Sequence, residues 1–378
     1  MPNTITGLYP VLFEAVDIVS RELVGFIPAV SMDGSEERAA VGQTVTSFQT
    51  RAGVATDITP GVTPPDDGDQ ALDPVSMTIT KARRVPVRWN GEQSKQINSG
   101  PGVSNVVADQ FAQAMRTLVN EIESDIAALY WRASRAYGAA GTTPFATDLS
   151  DPANVLKILL DNGAPQGDLQ LVINTTAGAK VRSLATLNKV NEAGSAGLLN
   201  QGVLLDIHGF KLRESAKVKT VTKGTGAGYV VNNAPGYASG STALALSTGA
   251  GTILAGDILT FAGDANKYVA GSALAGGNIS LNNPGLQQLL ANGVAATVGN
   301  NFTANMAFSR NAIQLATRAP ALPTQGDSAI DRTLITDPVS GLTFEIAQYP
   351  QYRQMQYEVS IAWGVSVNKP EHLALLLG

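Results

Sequence analysis

Between Val107 and Ala133, eight apolar residues recur at intervals of four, four, three, four, four, three and four: Val107, Phe111, Met115, Leu118, Ile122, Ile126, Leu129 and Ala133. This is the α-helical period, and it draws one apolar stripe along one face. No proline or glycine interrupts the pattern until Gly138. At the helical rise per residue such a segment is roughly 50 Å long. A helix of that length with a single apolar face must lie across a broad surface as a beam. The rest of the chain has to supply that surface.

What precedes the beam forms no core alone. Leu8, Leu12, Val16, Val19 and Leu23 fall at helical spacing, which predicts an amphipathic helix ending near Gly25. Glu14, Asp17, Arg21 and Glu22 interrupt its apolar run, and no basic segment opens it, so it does not read as a signal peptide. From Val41 to Trp89 the pattern is strand-like but the composition is that of loops. "TVTSFQTRAGVAT" alternates, Pro60, Pro64 and Pro65 follow with Asp66, Asp67 and Asp69, and "VSMTITKARRVPVRW" alternates again. Two strands joined by a proline-stiffened connection make a long hairpin. An isolated hairpin is marginal in water, so this one has to lie along something else. Its tip is acidic and its return is basic, at Lys81, Arg83, Arg84 and Arg88.

After the beam, "ANVLKILLDNG" reads as a short helix and "DLQLVIN" as a buried strand. Thr175 or Thr176 is the expected cap of a helix running to Leu187, and "GVLLDIHGFKLRES" is strand-like. From about Lys217 to Asn305 the chain turns rich in Gly, Ala, Ser, Thr and Asn, with short alternating runs such as "DILTFAGD" and "NISLNN". This predicts a small all-β insertion. A hairpin, "RTLITDPVSGLTFEIAQ", and a long strand, "QYEVSIAWGVSV", bring the chain to "NKPEHLALLLG".

Few function classes find support. The 378 residues contain no cysteine and two histidines, His208 and His372, so thiolate metal sites are excluded and histidine-based triads or zinc sites have almost no material. Asp66, Asp67 and Asp69 lack the ligand spacing of a calcium loop. "KGTGAGYVV" has glycines but no helix pattern after them, which a phosphate cradle needs. Around Ser195, Ala193 stands where a nucleophile elbow requires glycine. Glu121, Glu123 and Asp125 read as a solvated acidic face or a contact with a basic neighbour, and His208 as a structural histidine. Trp89, Trp131 and Trp363 read as core or interface anchors. The sequons at Asn174, Asn278 and Asn301 read as chance matches. No apolar run reaches membrane-spanning length. Only 15% of residues are charged, against about 25% in an average domain. That low share suits a chain that buries surface against other chains. The net charge of −5 gives no footprint for tight nucleic-acid binding.

The order of these parts resembles the major capsid proteins of tailed bacteriophages, with the Hong Kong 97 type fold, and among them the coat proteins of short-tailed Salmonella phages. The residues carrying the resemblance are "ADQFAQAMRTLVNEIESDIAAL" for the spine helix, "GDILTFAGD" with "NKYVA" in the insertion, "FSRNAIQLATRAPALP" after it, and "SIAWGVSVNKPEHLALLLG" at the end. The resemblance implies an α+β fold with an N-terminal arm over 1–40, an extended hairpin loop and peripheral sheet over 41–102, and a spine helix over 103–144. It further implies an axial α+β domain over 145–216 and 306–378, interrupted by the all-β insertion at 217–305. In that family the extended loop overlies a neighbouring subunit. Asp66, Asp67 and Asp69 on one side and Lys81, Arg83, Arg84 and Arg88 on the other are then candidate intersubunit contacts. The implied function is a non-enzymatic shell subunit with no cofactor, self-assembling as hexamers and pentamers. Its implied partners are a scaffolding protein, a portal protein, a decoration protein and loosely held double-stranded DNA, with no membrane. The implied location is the virion capsid, assembled in the host bacterial cytoplasm. The alternatives are a cellular nanocompartment shell of the same fold and a hydrolase with a β accessory domain.

Overall fold

The structure is a computed structural model, and it describes residues 25–50, 55–63, 72–98, 103–184, 187, 206–336 and 341–378. The predicted amphipathic helix before Gly25, and Asp66, Asp67, Asp69 and Ser195, lie outside the described residues.

The chain enters through a 3-10 turn, Ile27–Ala29, into strand β1 (Ser31–Ala39). Strands β2 (Thr44–Thr50) and β3 (Leu72–Thr78) pair antiparallel with each other alone, from Thr44 opposite Thr78 to Thr50 opposite Leu72. Strand β4 (Lys81–Asn90) and a short helix α1 (Gly91–Asn98) lead to the long helix α2 (Val103–Ala127). The stripe read from the sequence is the buried face of α2: Phe111, Met115, Leu118, Ile122 and Ile126 are fully or almost fully enclosed. They share one core with Val87 of β4 and with Leu315, Val359, Ile361 and Trp363.

The helix is shorter than its pattern. The α-helix stops at Ala127, tightens to a 3-10 turn over Ala128–Arg132, and becomes strand β5 (Arg135–Tyr137). Its 25 residues span about 37 Å rather than roughly 50 Å. Pairing elsewhere overrides the local period. Ser134 N–H donates to the Leu373 carbonyl, and Asn282 Nδ2 donates to the carbonyls of Trp131 and Ala133. Carbonyls freed at the end of the helix thereby find partners.

Helix α3 (Ser150–Asp161), strand β6 (Leu169–Ile173), helix α4 (Thr175–Ser183) and strand β7 (Phe210–Glu214) follow. The cap of α4 is Asn174, one residue before the expected threonines: its side-chain oxygen accepts from Ala177 N–H at 2.9 Å. Residues 220–298 contain only short strands: β8 (Thr220–Val221), β9 (Tyr229–Val231), β10 (Ala243–Ser247), β11 (Ile258–Phe261), β12 (Lys267–Val269), β13 (Asn278–Ser280) and β14 (Ala295–Val298). The return comprises β15 (Phe302–Ser309), β16 (Ile313–Pro320), β17 (Asp331–Thr336), β18 (Thr343–Gln351), β19 (Gln354–Val367) and β20 (Leu373–Leu377).

Among the described residues these strands form three sheets. One has the order β1-β16-β19-β18-β17, with β4 also on β19; α2 lies across it. A second runs β13-β10-β9-β14-β11-β12-β5-β20-β15-β6-β7, with β8 also on β15. The third is the β2–β3 ribbon. The second sheet joins the insertion to the α+β body edge to edge through the β12–β5 pair, Lys267 opposite Ala136 and Tyr268 opposite Arg135. The insertion also has its own core, built on Tyr229, Leu244, Leu259, Phe261, Tyr268 and Leu281.

Candidate intersubunit interface

Once β2 and β3 have paired, the ribbon has little else to hold it. Val45 rests against a small cluster at its base, formed by Ala39, Met77, Ile79, Ala316 and Ala362. Beyond Thr50 the described residues 55–63 are all exposed, with Ile58 at 97% and Val62 at 106% of full accessibility. Two large aliphatic side chains fully in water on an extended segment are unfinished surface.

The root of the ribbon, by contrast, is closely fixed. Arg318 donates to the Asp33 carboxylate at 2.9 Å and to its carbonyl at 2.6 Å, while Arg38 meets Glu345 at 2.5 Å and the Pro320 carbonyl at 2.8 Å. Thr80 N–H donates to the Trp363 carbonyl where the returning chain crosses β19. At that crossing stands Gly364, where a Cβ would collide with the Thr78 carbonyl oxygen. The sequence reads 75–89 as one alternating strand; the crossing splits it into β3 and β4.

The four basic residues of the return lie on β4, and each has a partner in its own molecule. Lys81 Nζ binds Asp125 at 2.8 Å and Glu121 at 3.2 Å on α2. Burial opposes its charge, but the hydrogen bonds to Asp125 and Glu121 outweigh it and hold the ammonium pKa above its ordinary value. Trp363 Nε1 donates to the other Asp125 oxygen at 2.9 Å. Arg83 reaches Glu121 at 3.4 Å, Arg84 meets Glu358 at 2.7 Å, and Arg88 Nε donates to Gln356 at 2.7 Å. Arg83 and Arg84 keep 59% and 54% of their side chains in solvent, so a second partner can still reach them.

The acidic group on α2 is not a solvated face. Glu121 and Asp125 serve Lys81, and Glu123 points the other way into the core with no exposed surface. The sequence held the signal for this. Two residues is about 200° of helical turn, which removes Glu123 from the side of Glu121 and places it beside Ile122 and Ile126 in the apolar stripe. Glu345, Arg38, Arg318 and Asp33 carried no such local signal, because their partners lie hundreds of residues away.

The remaining motifs resolve simply. Gly224 N–H donates to the Asp257 carboxylate at 3.1 Å and the chain continues into strand β9, so the glycine run is a turn held by an acid. His208, expected on a strand next to a turn, is an exposed residue of the turn itself, with φ of 50°. Trp363 is fully buried; Trp89 is half-buried, edge-on to Tyr357, with its indole N–H on Gln110; Trp131 is half-buried under Arg132. Among the described residues no group of three or more His, Asp or Glu side chains could hold a metal ion, and no helix is long and apolar enough to cross a membrane.

No family model matches the sequence, and no curated protein matches it. Solved structures do match the fold. The capsid structure of cyanophage P-SCSP1u aligns over 94% of this chain and 88% of its own, with 12% identity and a TM-score of 0.51. A structure from Mycobacterium phage Che8 aligns over 89% and 84% at 12% identity and a TM-score of 0.48. The crystal structure of a virus-like particle from Pyrococcus furiosus aligns over 98% and 99% at 10% identity and a TM-score of 0.46. The fold is the Hong Kong 97 type.

Proposed function

We propose that this chain is the major capsid protein of a tailed bacteriophage, a shell subunit that assembles with its own copies around double-stranded DNA. The observation that carries this reading is the β2–β3 ribbon. It is fixed at its root by Arg38–Glu345 and Asp33–Arg318, while the described part of its far end, residues 55–63, is wholly exposed. Such a segment gains little for the single chain but can close a contact between chains, and a symmetric lattice multiplies a modest contact. The chain-long likeness in fold to the cyanophage capsid structure supports the same reading.

In this reading residues 1–40 are the arm, 41–102 the extended loop and peripheral sheet, 103–144 the spine segment, 217–305 the insertion, and the remainder the axial domain. Short-tailed Salmonella phage coat proteins are the proposed nearest type. Hexamers and pentamers, scaffolding, portal and decoration proteins, and assembly in a bacterial cytoplasm follow from that type. Asp66, Asp67 and Asp69 remain proposed contacts to a neighbour. For the basic return the proposed contribution narrows to Arg83, Arg84 and Arg88, which are exposed, since Lys81 is engaged within its own chain.

Deleting residues 59–75 tests the reading. Expressed with a matching scaffolding protein, the full chain is expected to give closed shells by electron microscopy. The deletion is expected to give a soluble, folded subunit that does not close them. Normal shells from the deletion would refute the role of the ribbon, and a stable small monomer with enzymatic turnover would refute the shell.

A further inference from the structure

Glu123 is a buried carboxylate with no ion pair among the described residues. Its Oε1 accepts from the backbone N–H of Gly25 at 2.8 Å, Phe26 at 3.0 Å and Ile27 at 3.4 Å; its Oε2 accepts from Phe26 at 3.1 Å and from the Ser215 hydroxyl at 3.3 Å. Three elements meet on this one group: the chain leaving residues 1–24, helix α2, and the exit from β7. The approach is tight, since a Cβ on Gly25 would come within 2.6 Å of the Glu214 carbonyl oxygen and the Ser215 Cβ. Phe26, Ile27 and Ala29 are enclosed beside it.

Among the described residues, most of the charges nearby are engaged elsewhere. Residues 25–30 carry no titratable side chain. On α2, Glu121 and Asp125 face Lys81. Glu214 pairs with Arg182, and Lys219 donates to Ser124. Arg310 donates to the Pro28 carbonyl and pairs with Asp168, while Lys217, two residues beyond Ser215, donates its backbone N–H to the Ser215 hydroxyl. Ser215 suits either state of the acid, because its hydroxyl can donate to a carboxylate or accept from a carboxyl.

We propose that Glu123 is a proton-operated catch on the root of the N-terminal arm: as the neutral acid it holds residues 25–27 on helix α2, and as the buried anion it loosens them. Burial, with no cation paired to it among the described residues, disfavours the charge more than the N–H groups of Phe26, Ile27 and Gly25 and the Ser215 hydroxyl favour it, and pushes the carboxyl from 4.5 up to about 7. A folded value above the unfolded one means that the catch contributes fully below the unfolded value. Its contribution is lost as pH rises through about 7. Mild acid closes the arm root and mild alkali frees it. The catch belongs to one subunit and goes beyond the shell reading, so its test needs no shells and its failure would leave that reading standing.

Amide hydrogen exchange on the full-length subunit, corrected for intrinsic rates, tests it. Between about pH 5 and 8 the opening equilibrium of Gly25–Val30 is expected to rise more than about tenfold, while Leu373–Leu377 in β20 stays protected. Glu123→Gln, neutral at every pH, is expected to remove the dependence. A flat wild-type profile, an unchanged slope in Glu123→Gln, or parallel loss of protection in β20 would overturn the catch. Should Glu123→Gln not fold, the wild-type midpoint decides: near 7 it supports the catch, and near an ordinary carboxylate value of about 4.3 it refutes it.

Discussion

Residues 25–30 and residues 55–63 are both stretches of chain leading toward or away from the body of the fold, yet they end in opposite environments. The first places Phe26, Ile27 and Ala29 in the main core and binds its backbone to Glu123; the second has every residue in water, Ile58 and Val62 included. Both are short and neither is an α-helix or an extended strand. What separates them is the neighbouring surface. The arm root crosses the buried side of α2, where backbone N–H groups meet a carboxylate. Residues 55–63 lie past the paired strands of the ribbon, and none of them is covered by the described residues. Apolar composition alone therefore does not say whether a segment finishes its own molecule or waits for another.

The largest expected effect sharpens that contrast. Phe26→Ala empties a fully enclosed site and should cost about 3–5 kcal/mol of subunit stability in a denaturant titration. The double change Ile58→Ala with Val62→Ala should stay within about 0.5 kcal/mol, because both side chains are fully exposed. Equal costs would break the distinction. Next in size is the ribbon root. Gly364→Ala puts a methyl group where the Thr78 carbonyl sits, so β3 or β19 must shift, at about 1–3 kcal/mol. Exchange in β2 and β3 should quicken there while α2 keeps its protection; a neutral result would mean that the crossing is loose and that the ribbon swings from further back.

Periodic features were legible in the sequence and junctions were not. The stripe of α2, the alternation of β2, β3, β18 and β19, and the short strands between glycine-rich turns all follow from local spacing. The end of α2 does not. Leu129 and Ala133 continue the helical period, but residues 135–137 are claimed by strands from 267 and 374 onward. Nor does the split between β3 and β4, since alternation runs unbroken through Ile79 and Thr80 while the backbone changes partners from Gln43 to Trp363. The parallel pairing of β1 with β16 joins Ser31 to Gln314 with no turn between them to announce it. The candidate site was legible to a similar degree. That the ribbon packs on little of its own molecule could be read from its polarity and length. The fact that Lys81 is engaged by its own helix could not, because that pairing depends on β4 lying antiparallel to β19 beneath α2.

The smallest expected effect concerns two basic residues three positions apart on β4. Lys81 links Asp125 and Glu121, two acids on α2, and Asp125 also takes the Trp363 indole. Its side chain is about one-third exposed, so solvent screens the pair, and Lys81→Ala leaves Glu121 with Arg83 and Asp125 with Trp363. The expected loss is about 1 kcal/mol or less. Among the described residues Arg84 pairs with Glu358, and it is more than half exposed, so Arg84→Ala should cost still less, below about 0.5 kcal/mol. Shell yield should reverse the order. A residue already neutralised at home has little to offer a neighbour, whereas an arginine with its outer face in water can still reach one. Should Arg84→Ala leave subunit stability and shell yield both untouched, Arg84 would contribute no contact across the boundary, and Arg83 and Arg88 would be the basic residues of β4 left to meet the acidic tip of a neighbour's ribbon.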